Sequence, residues 1–375
     1  MQTTPTRFQA LDVFRGMTIC LMIIVNTPGS WETTFSPLKH AAWHGFTPTD
    51  LAFPSFLFAV GNAISFVMPK WESLPSHDVL LKILKRTGMI FLLGYLMYWF
   101  PFFRHTPSGA LEFSPFSDTR VFGVLQRIAL CYGVAALMIY YLREKAAVML
   151  SVVFLFLYWI LCYLLGDSGD PLSLDGNAVL HVDRMLLSDT HLYHGEGVAF
   201  DPEGLLSTLP AIANVVGGYV AGRYIKQKGF TYEMLSKLFL YGSLLLLGAY
   251  AWDLIFPINK KLWTSSYVLL TVGLDCIILA LVIYAIHFKS VKSGTYFFEV
   301  FGKNPLTVYL FSELAATLMY FFAVNPGQSV YQFVYQRIFS HFGGYMGSLF
   351  FAVSFMLLCW LVGYIMDKKK IYIRV

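Results

Sequence analysis

The first apolar segment of the chain, LDVFRGMTICLMIIVNT, carries three polar side chains that could do chemistry. Asp12 and Arg15 lie three residues apart, so they can pair on one face of a helix. A charge inside a membrane helix costs about 2.5–3.5 kcal/mol, so it needs a partner or a ligand. Arg15 therefore has two open interpretations, an ion pair with Asp12 or a contact to an anion that enters from the cytoplasm. Asn26 follows on the same helix face, about 16 Å further along.

The next segment, KHAAWHGFTPTDLAFPSFLFAVGN, is dense in Trp, His, Gly and Thr, as small-molecule sites often are. His40 and His44 are four residues apart, but no carboxylate has metal-ligand spacing with them, so we predict no metal site. The alternative for both is a solvated loop histidine. Thr47, Pro48 and Asp50 resemble a helix capping box, and we favour capping over ligand binding for Asp50.

Composition indicates the elements that must position these side chains. Of 375 residues, 57% are hydrophobic and only 13% are charged, whereas a soluble domain carries about 25% charged residues. This excludes a disordered chain, a coiled coil and a soluble two-domain enzyme. The apolar residues form long runs, not 3.6-residue stripes, so the sequence predicts an all-α polytopic protein in a lipid bilayer.

Ten segments are long and apolar enough to be bilayer-spanning helices of about 20 residues. They are 11–27, 49–68, 84–103, 121–142, 146–166, 204–223, 235–256, 265–287, 303–323 and 346–366. If the N-terminus is cytoplasmic, 19 Lys and Arg residues, including Arg7 and Arg374, lie on or near the inner side and 7 on the outer side. This split fits the positive-inside rule. We therefore predict one transmembrane domain over residues 1–375, with both termini cytoplasmic.

Two of the predicted outer loops are long, and long loops in compact proteins are often functional. Residues 28–48 contain the His-rich block. Residues 167–203 are rich in Asp and Glu and contain a single Arg. Residues 325–342 are predicted to form an amphipathic helix in the outer interface.

Several of these segments together resemble the heparan-α-glucosaminide N-acetyltransferase family and its bacterial relatives. The matching pieces are LDVFRG, IVNT, KHAAWHGFTPTDLAFPSFLFAVG, VLQRIALCY, FDPEGLLSTLPAI, NKKLWTSSYVLLTVG and GKNPLTVYL, in the family's order from Leu11 to Leu310. The long KHAxW…TDLxFPxFLFxxG block is specific, whereas LDxFRG also opens a broader class of membrane acyltransferases. The resemblance implies a multispan enzyme that uses cytosolic acetyl-CoA to acetylate an amino sugar on the far side of the membrane.

The resemblance gives roles to residues only where the motifs match. The family's catalytic His falls on His40, and its catalytic-site Asn falls on Asn26. The topology derived from charge puts both on the extracytoplasmic side, where the family's acceptor amine is bound. We expect His40 to act as a general base, and Asn26 to orient it or to donate to the developing oxyanion.

Residues expected to bind acetyl-CoA lie in a helix interior and on the inner face. Gln126 and Arg127 could line a channel for pantetheine or stabilise the thioester oxygen, and an interhelical hydrogen bond is an equal alternative. Phosphates favour Arg and Lys partners, so Arg15, Arg86 and Lys303 are further candidates. Positive-inside topology also supplies such cations without any ligand. No glycine-rich phosphate loop is present in the sequence, which argues against ATP or NAD chemistry.

Residues expected to contact the acceptor lie in three predicted outer segments: Trp43 and Asp50; Asp201 and Glu203; and Asn259, Lys260 and Trp263. Asp201 is equally suited to cap the sixth helix, with Pro202 at its first position. Lys260 and Lys261 break the positive-inside pattern. That exception suggests an anionic or sugar contact, with plain solvation as the alternative.

The sequence thus predicts an inner-membrane acetyltransferase with acetyl-CoA as co-substrate, an amino-sugar acceptor, no metal and no nucleic-acid partner. Two other functions stay open. A transporter for a sugar or small solute would need no acetyl-CoA, and an O-acetyltransferase of envelope glycans would make an ester instead of an amide. The acceptor's identity and the oligomeric state, monomer or homodimer, also stay open.

Overall fold

A computed structural model describes residues 8–106 and 110–373, so Arg7 and Arg374 lie outside the described residues. The described residues are mostly helical. The α-helices are α1 (Gln9–Asn26), α2 (Ala52–Trp71), α3 (Ser76–Trp99), α4 (Val124–Leu165), α5 (Ala178–Leu186), α6 (Thr208–Lys228), α7 (Tyr232–Asp253), α8 (Ser265–Ile283), α9 (Thr295–Lys303), α10 (Pro305–Phe321), α11 (Val330–Val334) and α12 (Gly344–Lys368). Two antiparallel hairpins pair β1 (Phe103–His105) with β2 (Leu111–Phe113), and β3 (Ala323–Asn325) with β4 (Gln328–Ser329).

The predicted all-α, multi-pass membrane architecture is confirmed. Among the described residues, six helices are long and apolar enough to cross a membrane. A helix also occurs in each of the ten predicted segments, and α4 supplies two of them. Arg143 lies inside α4 with φ of 63° and ψ of 170°, which interrupts the helix between the two predicted spans. The count of ten crossings and the cytoplasmic termini stay predictions.

Some boundaries differ from the predicted ones. Helix α3 begins at Ser76, not at residue 84, because its first turns are polar and hydropathy detects only its apolar part. Helix α6 begins at Thr208, not at residue 204. The segment predicted to be helical from residue 325 first forms the β3–β4 hairpin and turns helical at Val330. Its place in the membrane interface stays a prediction.

The chain divides into two compact units, and α7 and α8 each contribute to both. Of the described residues, the first unit contains 8–39, Lys228–Tyr241 and 275–373. Inside it, α1 packs on α9, α10 and α12. A Cβ at Gly16 would overlap the carbonyl of Phe298, so glycine allows α1 and α9 to approach closely, as small residues do in membrane helices.

The second unit contains His40–Gln227 and Gly242–Leu274. Here α2 and α3 pack on α4, and α5 packs against α4. A buried apolar cluster in this unit joins α4, α5 and the turn after α7. Its members include Tyr158, Val179, Leu180, Phe200, Phe256 and Leu262.

Candidate functional site

The imidazole of His40 is held by a carboxylate ten residues further along the chain. Nδ1 of His40 lies 2.6 Å from Oδ1 of Asp50. The His40 side chain is 39% exposed and that of Asp50 only 1%, so the ring is accessible while its anchor is not. A carboxylate can only accept, so it places the ring proton on Nδ1 and leaves the lone pair of Nε2 free. The ring therefore offers a basic nitrogen from a fixed position.

Asp50 is fixed in turn by the loop that leads into α2. Its Oδ2 accepts the backbone N–H of Ala41 at 3.2 Å, and the N–H and hydroxyl of Thr47 at 2.9 and 3.1 Å. Its carbonyl accepts the hydroxyl of Tyr267 at 2.6 Å. The predicted capping box is confirmed. The same carboxylate also orients His40, so capping and a role at the site are not alternatives for Asp50.

The surroundings of His40 favour its neutral form. Burial lowers the pKa of His40 below its ordinary value, and the charge of Lys260 lowers it further. The hydrogen bond to Asp50 acts in the opposite direction without cancelling these effects. At neutral pH the imidazole is therefore in the form that can take a proton.

Trp43 lies against the buried apolar cluster. Its indole Nε1 donates to the carbonyl of Leu172 at 2.8 Å, and its ring centroid is 5.8 Å from that of Phe200. The indole is half-buried. The N–H is therefore used within the protein, and contact of the Trp43 ring with an acceptor stays a prediction.

Asn259 and Trp263 lie below the surface and shape the turn that carries Lys260. Asn259 is fully buried, and its Nδ2 lies 3.3 Å from Nδ1 of His44. Trp263 is also fully buried and donates from Nε1 to Oδ1 of Asn214 at 3.1 Å. Direct contact of either side chain with an acceptor stays a prediction.

A charge cluster of two buried carboxylates and two half-buried cations lies in the same unit: Asp201, Glu203, Arg120 and Lys260. Arg120 donates to both carboxylate oxygens of Asp201, at 2.8 and 2.6 Å, and to Glu203 at 2.7 Å. Nζ of Lys260 lies 3.7 Å from Oε1 of Glu203. Burial alone would raise the pKa of Glu203, but the charges of Lys260, Arg120 and Arg127 lower it to about 2. Glu203 is therefore ionised at neutral pH.

The predicted role of Asp201 as the cap of the sixth helix is wrong. Helix α6 begins seven residues later, at Thr208. The side chain of Asp201 instead binds Arg120 and accepts the backbone N–H of Glu203 at 3.0 Å, which closes a turn. The tertiary ion pair thus overrides the local capping signal.

The two lysines that break the positive-inside pattern are both paired with carboxylates. Lys261 lies 2.5 Å from Oε2 of Glu196 and donates to the carbonyl of Ala42 at 2.9 Å. Lys260 faces Glu203, as described above. Both carboxylates belong to the acidic segment 167–203. Its charge therefore accounts for two cations on the predicted outer side without an anionic ligand, and the ion pairs show that neither lysine is simply solvated.

Gln126 and Arg127 are both fully buried on α4. Arg127 donates to the carbonyl of Gly204 at 3.1 Å and to the hydroxyl of Ser207. Its Nε and Nη1, and both polar atoms of the Gln126 amide, have no hydrogen-bond partner among the described residues. Arg127 therefore binds the turn that precedes α6, not another helix as the alternative had it, and part of its donor capacity is left over.

Asp183 supports the segment that carries Glu203. It is fully buried on α5, and its Oδ1 accepts the backbone N–H of Leu205 at 3.0 Å. A Cβ at Gly204 would overlap Oδ2 of Asp183. Burial raises the pKa of Asp183 to about 7. The turn at 201–207 is thus held by α4 on one side and by α5 on the other.

Asn26 lies in the first unit, at the end of α1. Its Nδ2 donates to Oε1 of Glu313 on α10 at 3.3 Å, and its side chain is exposed. Helix α1 ends at this residue, and the backbone N–H of Thr27 closes the last turn on Ile23. Asn26 thus has a defined carboxylate partner.

The three predicted phosphate-binding cations have partners within the protein. Arg15 pairs with Asp12 and donates to the carbonyl of Gly302 at 2.9 Å, so the ion-pair interpretation is confirmed. Lys303 binds both oxygens of Asp367 at 2.9 Å. Arg86, in the second unit, is half-buried over the ring of Tyr132, 4.6 Å from its centroid. Binding of acetyl-CoA by any of them stays a prediction.

Sequence reasoning missed three residues: Arg120, Asp183 and Glu313. From the sequence, Arg120 is only a cation of a predicted outer loop, and Asp183 is only one carboxylate of the acidic segment 167–203. Glu313 could have been found, because it is the single charge in the apolar helix α10. No group of three or more His, Cys, Asp or Glu side chains within the described ranges is arranged to hold a metal ion.

The sequence that builds this site matches a known protein family. The profile described as "Heparan-alpha-glucosaminide N-acetyltransferase, catalytic" matches residues 7–251, which include both His40 and Asp50. Human heparan-alpha-glucosaminide N-acetyltransferase is 27% identical over 368 residues, and the mouse protein is 28% identical. Each alignment covers 84% of this chain and 54% of the relative, so the chain spans about half the length of those relatives. Since the profile covers more than half of the chain, the chain belongs to the heparan-α-glucosaminide N-acetyltransferase catalytic family.

Proposed function

We propose that the chain is a transmembrane N-acetyltransferase that passes the acetyl group of cytosolic acetyl-CoA to the amine of an extracytoplasmic amino sugar of the glucosamine type. The observation that carries the proposal is the His40–Asp50 pair, which presents an unprotonated Nε2 within the region matched by the family profile. The relatives' names describe N-acetyltransferases of glucosaminides, which supports the same reaction here.

The chemistry follows from a neutral, oriented imidazole. The neutral amine attacks the thioester carbonyl, so a C–N bond forms and the carbonyl oxygen becomes an oxyanion. Nε2 of His40 takes the proton that the nitrogen must lose. The C–S bond then breaks, and the proton on His40 passes to the departing CoA thiolate. Asp50 holds the ring and stabilises the imidazolium while it exists.

Asn26 is the proposed second catalytic residue. Its amide can donate to the oxyanion as the thioester carbonyl is attacked. Loss of one such donor typically costs about 10²–10³ in kcat. The proposal for Asn26 is supported by the family motif and by the exposed position of its side chain at the end of α1.

The proposed acetyl-CoA contacts differ in how well they fit the ligand. Gln126 and Arg127 fit best, because buried polar atoms without hydrogen-bond partners suit the amides and carbonyls of pantetheine. Arg86, Arg15 and Lys303 remain proposed contacts to the phosphates. Arg15 and Lys303 would have to share their charge with Asp12 and Asp367.

The charges near His40 offer no excess cation to a sulfated acceptor. Lys260 and Arg120 are neutralised by Glu203 and Asp201, so their charge is already used. Glu203 and Asp201 are neutralised in the same pairs, so the cluster has no net charge and no excess cation for a sulfated sugar. Trp43, Asp50, Asn259 and Trp263 complete the proposed acceptor side, with Asn259 and Trp263 acting through the turn that they shape.

The proposed topology has ten crossings in the cell's inner membrane, with both termini cytoplasmic. Helices in all ten predicted segments support it, as does the placement of 19 Lys and Arg residues inside against 7 outside. With this topology His40 and the segment 167–203 are extracytoplasmic, and the acetyl group must be presented across the membrane.

The proposal is tested with purified protein and acetyl-CoA labelled in its acetyl group. Glucosamine, glucose and N-acetylglucosamine are supplied as separate acceptors, and products are identified by mass spectrometry. We expect labelled N-acetylglucosamine from glucosamine, and no product from the two sugars without a free amine. An acetyl ester would instead indicate an O-acetyltransferase. Movement of unmodified sugar into vesicles, without acetyl-CoA consumption, would indicate a transporter.

A further inference from the structure

Helix α10 carries a single carboxylate in the middle of an otherwise uncharged helix. Glu313 is the ninth residue of Pro305–Phe321, and the remaining side chains of this helix are apolar or uncharged. A carboxylate at such a place in a membrane helix is costly, and it usually marks a functional position with a specific partner. None of the steps described above uses Glu313.

The partner of Glu313 is Asn26, the proposed oxyanion donor. Oε1 of Glu313 accepts from Nδ2 of Asn26 at 3.3 Å, between residues 287 positions apart. Helices α1 and α10 pack against each other within the same unit. The hydroxyl of the neighbouring Ser312 donates to the carbonyl of Tyr309 in the same helix, at 2.7 Å.

A carboxylate selects one of the two orientations of an Asn amide. It offers only acceptors, so it favours the orientation in which the NH2 group faces it and opposes the one in which Oδ1 faces it. One N–H of Asn26 is then bound to Glu313, and the second N–H is directed away at a fixed angle. A neutral Gln at position 313 could both donate and accept, so it would tolerate either orientation.

We propose that Glu313 is the positioning residue of Asn26, holding its amide so that the second N–H can donate to the oxyanion of the tetrahedral intermediate. The inference rests on the proposed function, because it gives the Asn26–Glu313 hydrogen bond a task in acetyl transfer. Glu313 acts only through Asn26 and exchanges no proton with either substrate.

A double-mutant cycle tests this dependence. Glu313→Gln should lower kcat about 10- to 100-fold, less than the roughly 10²–10³ expected for losing a whole donor, while KM for acetyl-CoA stays within about twofold. In the Asn26→Ala background the same substitution should change kcat by less than about twofold. Ser312→Ala is the matched control, since Ser312 is buried on the same helix and its hydroxyl donates to the carbonyl of Tyr309, and it should leave kcat within about twofold.

An equal loss of kcat from Glu313→Gln in the wild-type and Asn26→Ala backgrounds would overturn the inference, and so would a Glu313→Gln variant with wild-type kcat. If Glu313→Gln does not fold, the cycle is run with Glu313→Asp, which keeps the carboxylate but shortens its reach, under the same two criteria. Wild-type protein that acetylates no amine would refute the proposed function instead. In that case the Asn26–Glu313 pairing is tested by the apparent Tm of Asn26→Ala, Glu313→Gln and the double variant. Non-additive Tm shifts would support the pairing, and additive shifts would contradict it.

Discussion

Replacing Asp50 by Asn should abolish the general base while leaving the fold largely intact. Oδ2 of Asp50 accepts three hydrogen bonds, from the N–H of Ala41 and from the N–H and hydroxyl of Thr47. These donors require an oxygen, so the Asn carbonyl should take that place. The NH2 group must then face Nδ1 of His40, where Oδ1 now lies at 2.6 Å. Facing a donor, Nδ1 has to accept, and the ring proton moves to Nε2.

The size of the effect follows from the lost proton acceptor. A ring that carries its proton on Nε2 cannot take another from the amine, so we expect kcat to fall by about 10²–10⁴. The same tautomer error in a serine-protease triad costs about 10⁴. In Asp50→Asn the three hydrogen bonds to the side-chain oxygen are kept, but that oxygen no longer carries a charge. Since charge-assisted bonds are roughly twice as strong, stability should fall by only about 1–2 kcal/mol.

The assay compares kcat for acetyl transfer to glucosamine with the apparent Tm of each variant. Thr47→Ala serves as the control, because it removes the hydroxyl that donates to Asp50 at 3.1 Å and leaves the His40–Asp50 contact in place. It should lose about 1 kcal/mol of stability and keep kcat within a few-fold. The reasoning is refuted if Asp50→Asn retains wild-type kcat, or if Thr47→Ala loses as much activity.

Three further predictions concern charge and topology. Lys260→Gln removes a cation that lowers the pKa of His40, so this pKa should rise. The acid limb of the kcat/KM profile, expected below pH 6.5 in the wild type, should then move to higher pH, and an unmoved limb would contradict this. Arg120→Leu leaves two buried carboxylates without their main partner, so the free energy of unfolding should fall by about 3–5 kcal/mol. A variant as stable as the wild type would contradict the structure. Lys228 is exposed at the end of α6, and the five native cysteines are buried, so a cysteine introduced at position 228 should be the main site of labelling by an impermeant thiol reagent. The reagent should react with it only from the cytoplasmic side, and labelling from outside would refute the topology.

Features encoded in short stretches of sequence could be predicted. The apolar runs located a helix in each of the ten segments, and the break at Arg143 falls between two predicted spans. The capping box at Thr47–Asp50 is local and was found for that reason. His40 and Asp50 lie in one block, so the block itself could be recognised, although the hydrogen bond between them could not be read from their spacing.

Features that depend on distant parts of the chain could not be predicted. Arg120 meets Asp201 across 81 positions, and Asn26 meets Glu313 across 287 positions. Local reasoning also gave the wrong role to Asp201, because an Asp–Pro pair resembles a helix start whether or not an arginine binds the carboxylate first. In a membrane protein a lone charge in an apolar helix remains the best signal of such a contact, and Glu313 carries that signal.

The central claim, that His40 is the base of a direct acetyl transfer, is tested most directly by a single-turnover measurement with labelled acetyl-CoA, with and without glucosamine. His40→Ala should bind acetyl-CoA with wild-type affinity and lose transfer by about 10²–10⁴, while His44→Ala, four residues away, should stay within a few-fold of the wild type. Without glucosamine the wild-type protein should keep acetyl-CoA intact and form no labelled protein. Wild-type transfer by His40→Ala, or an acetylated protein that passes its label to glucosamine, would contradict the account.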